Sequence, residues 1–183
     1  FNRCKGHLMA LSLSQKLAKI KMVIFDVDGV LTDGKMHYTP DGESFKSFHV
    51  RDGLGIRFLK RAGIKTAIIS ARNTPTTNRR AADIEIDHII QGAFQKQEAL
   101  ALLLAKTGLT AKECAYIGDD IIDLPAITRV GVSFAVNNAH PEVIDRVDII
   151  TKNVGGNGAV REVCDIILKA TGHYNAILES YLK

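Results

Sequence analysis

Two aspartates separated by one residue close an apolar run, Lys21-Met22-Val23-Ile24-Phe25-Asp26-Val27-Asp28-Gly29. Further along, a second apolar run ends at Ser70, Lys96 opens a helical pattern, and another run ends in Gly118-Asp119-Asp120 with Asp123 just beyond. Carboxylates gathered in one place repel each other unless a cation joins them. Mg2+ suits such hard oxygen ligands and leaves positions for water and a phosphate. A carboxylate can also be a covalent nucleophile, splitting one hard displacement into two easier ones. A second carboxylate two residues on can serve as general acid and then base. An ammonium such as Lys96 offsets charge on the transferred phosphoryl oxygens, and Ser70 with backbone N–H groups holds the same oxygens. The chemistry these residue types spell out is phosphoryl transfer. Singly, each has an ordinary explanation: Asp-x-Asp is a common turn, Asp119-Asp120 can cap a helix, Lys96 is a solvated surface group and Ser70 a strand-end hydroxyl. Those explanations do not cover their arrival at strand ends in this order.

The elements that must position these residues alternate along the chain. Buried-strand patterns fall at 21–26, 66–70, 87–90, 114–118, 132–136 and 147–150. Helical spacing falls at 53–62, 75–82, 95–106 and 159–170, with Gly63, Gly108 and Gly172 as stops. Alternation of this kind means right-handed βαβ units and a mostly parallel sheet. Ligands of such sheets bind beyond the carboxyl ends of the strands, where the polar residues named above sit. One stretch breaks the pattern. Pro40-Asp41-Gly42 is a turn signal between two β-like arms, so residues 34–49 read as a hairpin. The fold class is therefore α/β, a three-layer Rossmann-like parallel sheet with helices on both faces and a small β-hairpin. The domain spans 20–172, after an N-terminal segment at 1–19, expected to be partly disordered, and before a C-terminal tail at 173–183.

Composition narrows the partners. The chain has 183 residues, 46% hydrophobic and 24% charged, which suits one globular domain and excludes a mainly disordered chain. No apolar run approaches the ~18–20 residues of a membrane helix, and no secretory signal pattern is present. The net charge of +4 comes from basic residues spread along the chain, which suits a small anionic substrate and not a nucleic acid. Cys4, Cys114 and Cys164 are odd in number and irregular in spacing, which suits neither a disulfide framework nor a zinc site; Cys114, opening an apolar run, and Cys164, in a helical pattern, read as reduced packing residues of a cytoplasmic protein.

Asp26-Val27-Asp28-Gly29-Val30-Leu31-Thr32-Asp33-Gly34 resembles the first motif of the haloacid dehalogenase-like phosphatases, with Ser70, Lys96 and Gly118–Asp123 matching the second, third and fourth. Within that superfamily, three further segments resemble the 3-deoxy-D-manno-octulosonate 8-phosphate phosphatases of lipopolysaccharide core synthesis. They are His49-Val50-Arg51-Asp52-Gly53-Leu54-Gly55-Ile56, Asp119–Pro125 and Gly155-Gly156-Asn157-Gly158-Ala159-Val160-Arg161-Glu162. The chain carries Ala71 where members often have Gly, and His49 where Asn is common. The resemblance implies Asp26 as nucleophile, Asp28 as acid/base, and Mg2+ on the Asp26 carboxylate, the Asp28 backbone carbonyl and Asp119. Asp120 and Asp123 are implied as supporting residues, either as outer-shell groups of the metal site or as helix caps. Substrate contacts are implied for Asp28, His49, Val50, Arg51, Asp52, Gly53, Arg57, Arg72, Arg80 and Lys96, the arginines suiting a sugar carboxylate.

The gaps between motifs hold the hairpin, two helices and a strand, so there is no room for a cap domain. The site on a lone subunit is then open, and either the substrate is macromolecular or another subunit supplies the lid. The family resemblance implies a homotetramer in which hairpins assemble and a neighbour completes the site, and Phe45 and Phe48 are candidate packing residues. Gly155–Gly158 reads either as a mobile gate or as a helix-entry turn. Alternative readings are a nine-carbon neuraminate-type 9-phosphate as substrate, a capless protein phosphatase, and a phospho-acceptor module without enzymatic activity.

Overall fold

The computed structural model describes residues 11–183. Its strands are β1 (Met22–Phe25), β2 (His37–Thr39), β3 (Gly42–Phe45), β4 (Lys65–Ile69), β5 (His88–Ile90), β6 (Cys114–Gly118), β7 (Val132–Ala135) and β8 (Ile149–Ile150). Six of them form one parallel sheet in the order β5-β4-β1-β6-β7-β8. β2 and β3 pair antiparallel as the expected hairpin. The helices are α1 (Leu13–Leu17), α2 (Val50–Arg61), α3 (Pro75–Asp83), α4 (Lys96–Thr107), α5 (Leu124–Ile127), α6 (Pro141–Ile144), α7 (Ala159–Ala170) and α8 (Tyr174–Glu179). Every residue of β1 is fully buried, as a parallel strand covered on both faces must be. The chain runs outward from β1 to β5, then returns to β6 on the other side of β1. That reversal is the switch point at which open α/β sheets bind ligands, and it brings the ends of β1 and β6 side by side.

α2 begins at Val50, a turn earlier than the apolar spacing from Gly53 predicts. Val50 and Arg51 are exposed, so the first turn carries no apolar signal. α2 and α7 pack closely: a Cβ on Gly55 would lie 3.1 Å from the Cys164 Cβ. Cys114 and Cys164 are buried free thiols; Cys4 and the first ten residues of the N-terminal segment lie outside the described residues. Residues 173–183, given no element by periodicity, hold the short helix α8 with Ile177 buried.

The outermost strands are tied down alike. The Asp87 carboxylate, just before β5, accepts from the Thr66 N–H (2.9 Å) and hydroxyl (3.1 Å) of β4. Asp148, just before β8, accepts from the Ser133 N–H (2.8 Å) and hydroxyl (2.9 Å) of β7.

Candidate functional site

Lys96 is the first residue of α4, yet it is 1% exposed. Its ammonium donates to Asp26 Oδ1 at the end of β1 (2.6 Å), to the Ile69 carbonyl at the end of β4 (2.7 Å) and to the Tyr116 hydroxyl on β6 (3.2 Å). It also lies 3.1 Å from Asp123 Oδ1. A buried ammonium survives only when paired. Burial lowers its pKa, but Asp26 and Asp123 outweigh that and raise it.

Three carboxylates share this space: one oxygen each from Asp26, Asp119 and Asp123 lies within 4.8 Å of the others. Asp123 is fully engaged. Its Oδ1 accepts from Tyr116 (2.7 Å), and its Oδ2 accepts the backbone N–H groups of Asp119 (3.0 Å) and Asp120 (3.4 Å). Asp119 is not: its Oδ1 is buried without a hydrogen-bond partner. Burial, then the neighbouring Asp26 and Asp123 charges, push its pKa up to about 8. Burial and Asp123 raise that of Asp26 against the pull of Lys96. A hard-oxygen donor set that resists ionisation and leaves one buried oxygen without a partner fits a divalent cation such as Mg2+. Asp120 caps the turn that follows, accepting from Ile121 N–H (2.7 Å).

The loop after β1 is shaped around these groups. Gly29 has φ +91°, and a Cβ there would sit 2.0 Å from Asp119 Oδ2. The Thr32 hydroxyl accepts from the Gly29 and Gly34 N–H groups (3.2 Å each). A Cβ on Gly155 would lie 1.7 Å from the Gly29 carbonyl oxygen, and the Gly156 N–H donates to the Val30 carbonyl (2.9 Å). Gly158 is the N-cap of α7, so this glycine stretch enters a helix while packing against the loop. Asp28 pairs through Oδ1 with the buried ammonium of Lys46, which follows the hairpin, and its Oδ2 lies 3.8 Å from Arg72 Nε.

The structure therefore brings Asp26, Lys96, Asp119 and Asp123 together, with Asp28 beside them and Arg72 on Asp28. Ser70 is buried at the end of β4, its N–H on the Ile90 carbonyl (2.9 Å). The other substrate candidates gather around α2. Asp52 is 1% exposed and accepts from the Gly158 (3.3 Å) and Arg161 (2.8 Å) N–H groups, so its carboxylate anchors the start of α7. Arg57 donates to the Asp83 carbonyl. Arg80 donates to the His49 carbonyl (3.2 Å) and lies over the Phe48 ring. Val50, Gly53, Arg57 and Arg80 share a pocket of about 250 Å³, and Arg51 lines a separate one. Among the described residues no hydrogen bond or ion pair joins this group to Asp26, Asp28, Lys96 or Asp119. Phe48 is partly buried against the core, whereas Phe45 is half exposed and stacked on His37 at 4.2 Å. Sequence reasoning missed Lys46 and Tyr116. Tyr116 had one signal, a hydroxyl inside an otherwise apolar strand.

Residues 84–163 match the family model described as haloacid dehalogenase-like hydrolase. The chain is 50% identical over 160 residues to the 3-deoxy-D-manno-octulosonate 8-phosphate phosphatase of Haemophilus influenzae, covering 87% of this chain and 89% of that one. The cobalt-bound structure of the deoxy-D-mannose-octulosonate 8-phosphate phosphatase from that organism superposes with a TM-score of 0.89 at 48% identity, over 92% of this chain and 100% of that one. The Moraxella catarrhalis phosphatase, solved with magnesium, phosphate and the KDO molecule, superposes with a TM-score of 0.89 at 44% identity, over 92% and 97%.

Proposed function

The chain belongs to the 3-deoxy-D-manno-octulosonate 8-phosphate phosphatases among the haloacid dehalogenase-like hydrolases, and on that footing we propose that it converts this sugar phosphate to the free sugar acid and inorganic phosphate in lipopolysaccharide core synthesis. The observation that carries the reading is the buried, unpartnered Asp119 oxygen beside Asp26, with Lys96 bound to the same Asp26 carboxylate.

Asp26 attacks phosphorus, the P–O bond to the sugar breaks, and Asp28 gives its proton to the departing alkoxide. Asp28 then takes a proton from water as the water oxygen attacks the aspartyl phosphate, which restores the Asp26 carboxylate. Lys96 fixes the rotation of Asp26 and offsets phosphoryl charge, and Ser70 holds a phosphoryl oxygen. The Asp26 and Asp119 carboxylates and the Asp28 backbone carbonyl would hold Mg2+, which when bound would supply Lewis-acid polarisation of the phosphoryl group. Asp120 and Asp123 support that arrangement. Arg72, the arginine beside Asp28, takes the sugar carboxylate.

His49, Val50, Arg51, Gly53, Arg57 and Arg80 contact substrate once a neighbouring subunit of a homotetramer closes the open face, with Asp52 holding the segment in place. The exposed Tyr38 and Phe45 of the hairpin support such packing. The reaction is assigned to the cytoplasm. The buried free thiols are in keeping with that, and no helix among the described residues is long and apolar enough to cross a membrane.

The test is phosphate release, with and without Mg2+, from eight- and nine-carbon sugar-acid phosphates, hexose phosphates and a phosphopeptide. Preference for the eight-carbon acid, abolished in Asp26→Asn, is the expected result. Activity that survives Asp26→Asn sinks the nucleophile assignment, and preference for another substrate sinks the substrate assignment. Light scattering of the same preparation tests the tetramer.

A further inference from the structure

Four acceptors surround the Lys96 ammonium: Asp26 Oδ1 (2.6 Å), the Ile69 carbonyl (2.7 Å), Asp123 Oδ1 (3.1 Å) and the Tyr116 hydroxyl (3.2 Å). An ammonium has three hydrogens. The two short bonds take two of them, and the third is shared between Asp123 and Tyr116. Those two are themselves bonded at 2.7 Å. A carboxylate only accepts, so the tyrosine proton points at Asp123 and the hydroxyl lone pairs face Lys96. Tyr116 is fully buried, so no water can stand in for it without a cavity opening.

From Asp123 the chain of contacts continues. Its other oxygen holds the N–H groups of Asp119 and Asp120, and Asp119 carries the unpartnered buried oxygen. We infer that Tyr116 is a positioning residue: its hydroxyl locks Asp123, and through Asp123 it sets both the Lys96–Asp26 contact and the placement of the Asp119 carboxylate for a divalent cation. The inference rests on the functional reading above for what the cation does, but its geometry stands on Tyr116, Asp123 and Lys96 alone.

The experiment is Tyr116→Phe, which removes one oxygen and keeps the ring in the sheet. Mg2+ binding to the substrate-free protein is followed by calorimetry, alongside kcat, KM and thermal unfolding. Partners that orient a metal's ligands typically contribute 10–100-fold to affinity or activity. The Mg2+ dissociation constant should therefore rise about tenfold and kcat fall about tenfold, with KM for the sugar phosphate little changed. In an Asp123→Asn background the same substitution should add almost nothing, because its route is already cut. Replacing Tyr116 by 4-aminophenylalanine, which keeps a donor at the same place, should retain wild-type Mg2+ affinity, and it serves as the readout if the Phe variant does not fold. Unchanged Mg2+ affinity and kcat in Tyr116→Phe overturn the inference. So does an equal loss with and without Asp123, or a tenfold loss in the 4-aminophenylalanine protein. A chain that binds Mg2+ as expected but releases no phosphate from any sugar acid defeats the functional reading and leaves this one standing.

Discussion

Gly29→Ala tests the site with a single methyl group. The new Cβ would sit 2.0 Å from Asp119 Oδ2 and 2.6 Å from its Cγ, where ordinary contact begins at 3.4 Å, so the oxygen must retreat by about 1.4 Å. The intruded-upon group is the end of a side chain, so the carboxylate yields and the backbone need not. Backbone strain adds a separate cost. Gly29 has φ +91°, and a side chain in left-handed backbone costs about 1–2 kcal/mol. For a chain of this length that corresponds to a Tm lower by about 2–8 °C. Function should suffer far more than stability, because a displacement near 1 Å at a reacting centre costs on the order of 10²-fold in rate. Three measurements decide it: phosphate release at saturating sugar phosphate, Mg2+ titration by calorimetry, and thermal unfolding. A folded protein with kcat down by about 10² and weakened Mg2+ binding is expected. A variant within threefold of wild-type kcat at the same Mg2+ demand would refute the claim that Gly29 makes room for Asp119. A Tm drop beyond 20 °C would show that the loop gives way before the carboxylate.

Lys46→Met keeps the buried stem but removes the ammonium paired with Asp28. kcat should fall about tenfold, part of the 10²–10⁴ a general acid–base group contributes, and unchanged steady-state kinetics would make the pair irrelevant to the chemistry. Asp52→Ala strips a buried N–H group (Gly158) and a partly buried one (Arg161) at the start of α7 of their acceptor, which should cost about 1–2 kcal/mol and lower the Tm by about 2–8 °C. A raised KM with unchanged Tm would instead place Asp52 on the substrate. Asp148 is pushed upward by burial, but the Ser133 N–H and hydroxyl and Lys16 outweigh that and hold its pKa below the ordinary 3.8. A depressed carboxylate stabilises the fold above its unfolded pKa and loses that contribution as pH falls through the folded value. The Tm gap between wild type and Asp148→Asn should therefore be full at pH 6 and close below about pH 3.8. A gap that widens on acidification would reverse the assigned sign.

Much of this was readable from residue order. The run from Met22 to Phe25 is apolar without alternation because both faces of β1 are covered, and that same continuity marked Asp26 as a strand-end residue. Gly108 and Gly172 marked helix ends because left-handed backbone there favours glycine. The first turn of α2 was not legible, since Val50 and Arg51 face solvent and Asp52 faces α7, leaving no apolar period to detect. Asp123 and Lys96 were named as separate residues, but the network joining them depends on Tyr116, which in sequence is one more bulky residue of a buried strand. Lys46 was hidden for the opposite reason: a lysine after an exposed hairpin looks solvated, and only the fold shows its side chain 1% exposed against Asp28. Long-range pairing of charge is set by three-dimensional proximity, which local periodicity does not encode.

The clipped outermost strands bear on how the sheet resists aggregation. β5 has three residues and β8 two, and each is pinned at its start by an aspartate bonded to the neighbouring strand. Such stubs expose few unpaired backbone groups, so they are poor templates for strand-by-strand accretion by another chain. The sheet holding the catalytic edge is thereby screened from the fibril-forming contacts that flat, long edges invite. The protection comes from strand length and two aspartates alone, so the side chains on the faces of the sheet are left free to serve packing and the site.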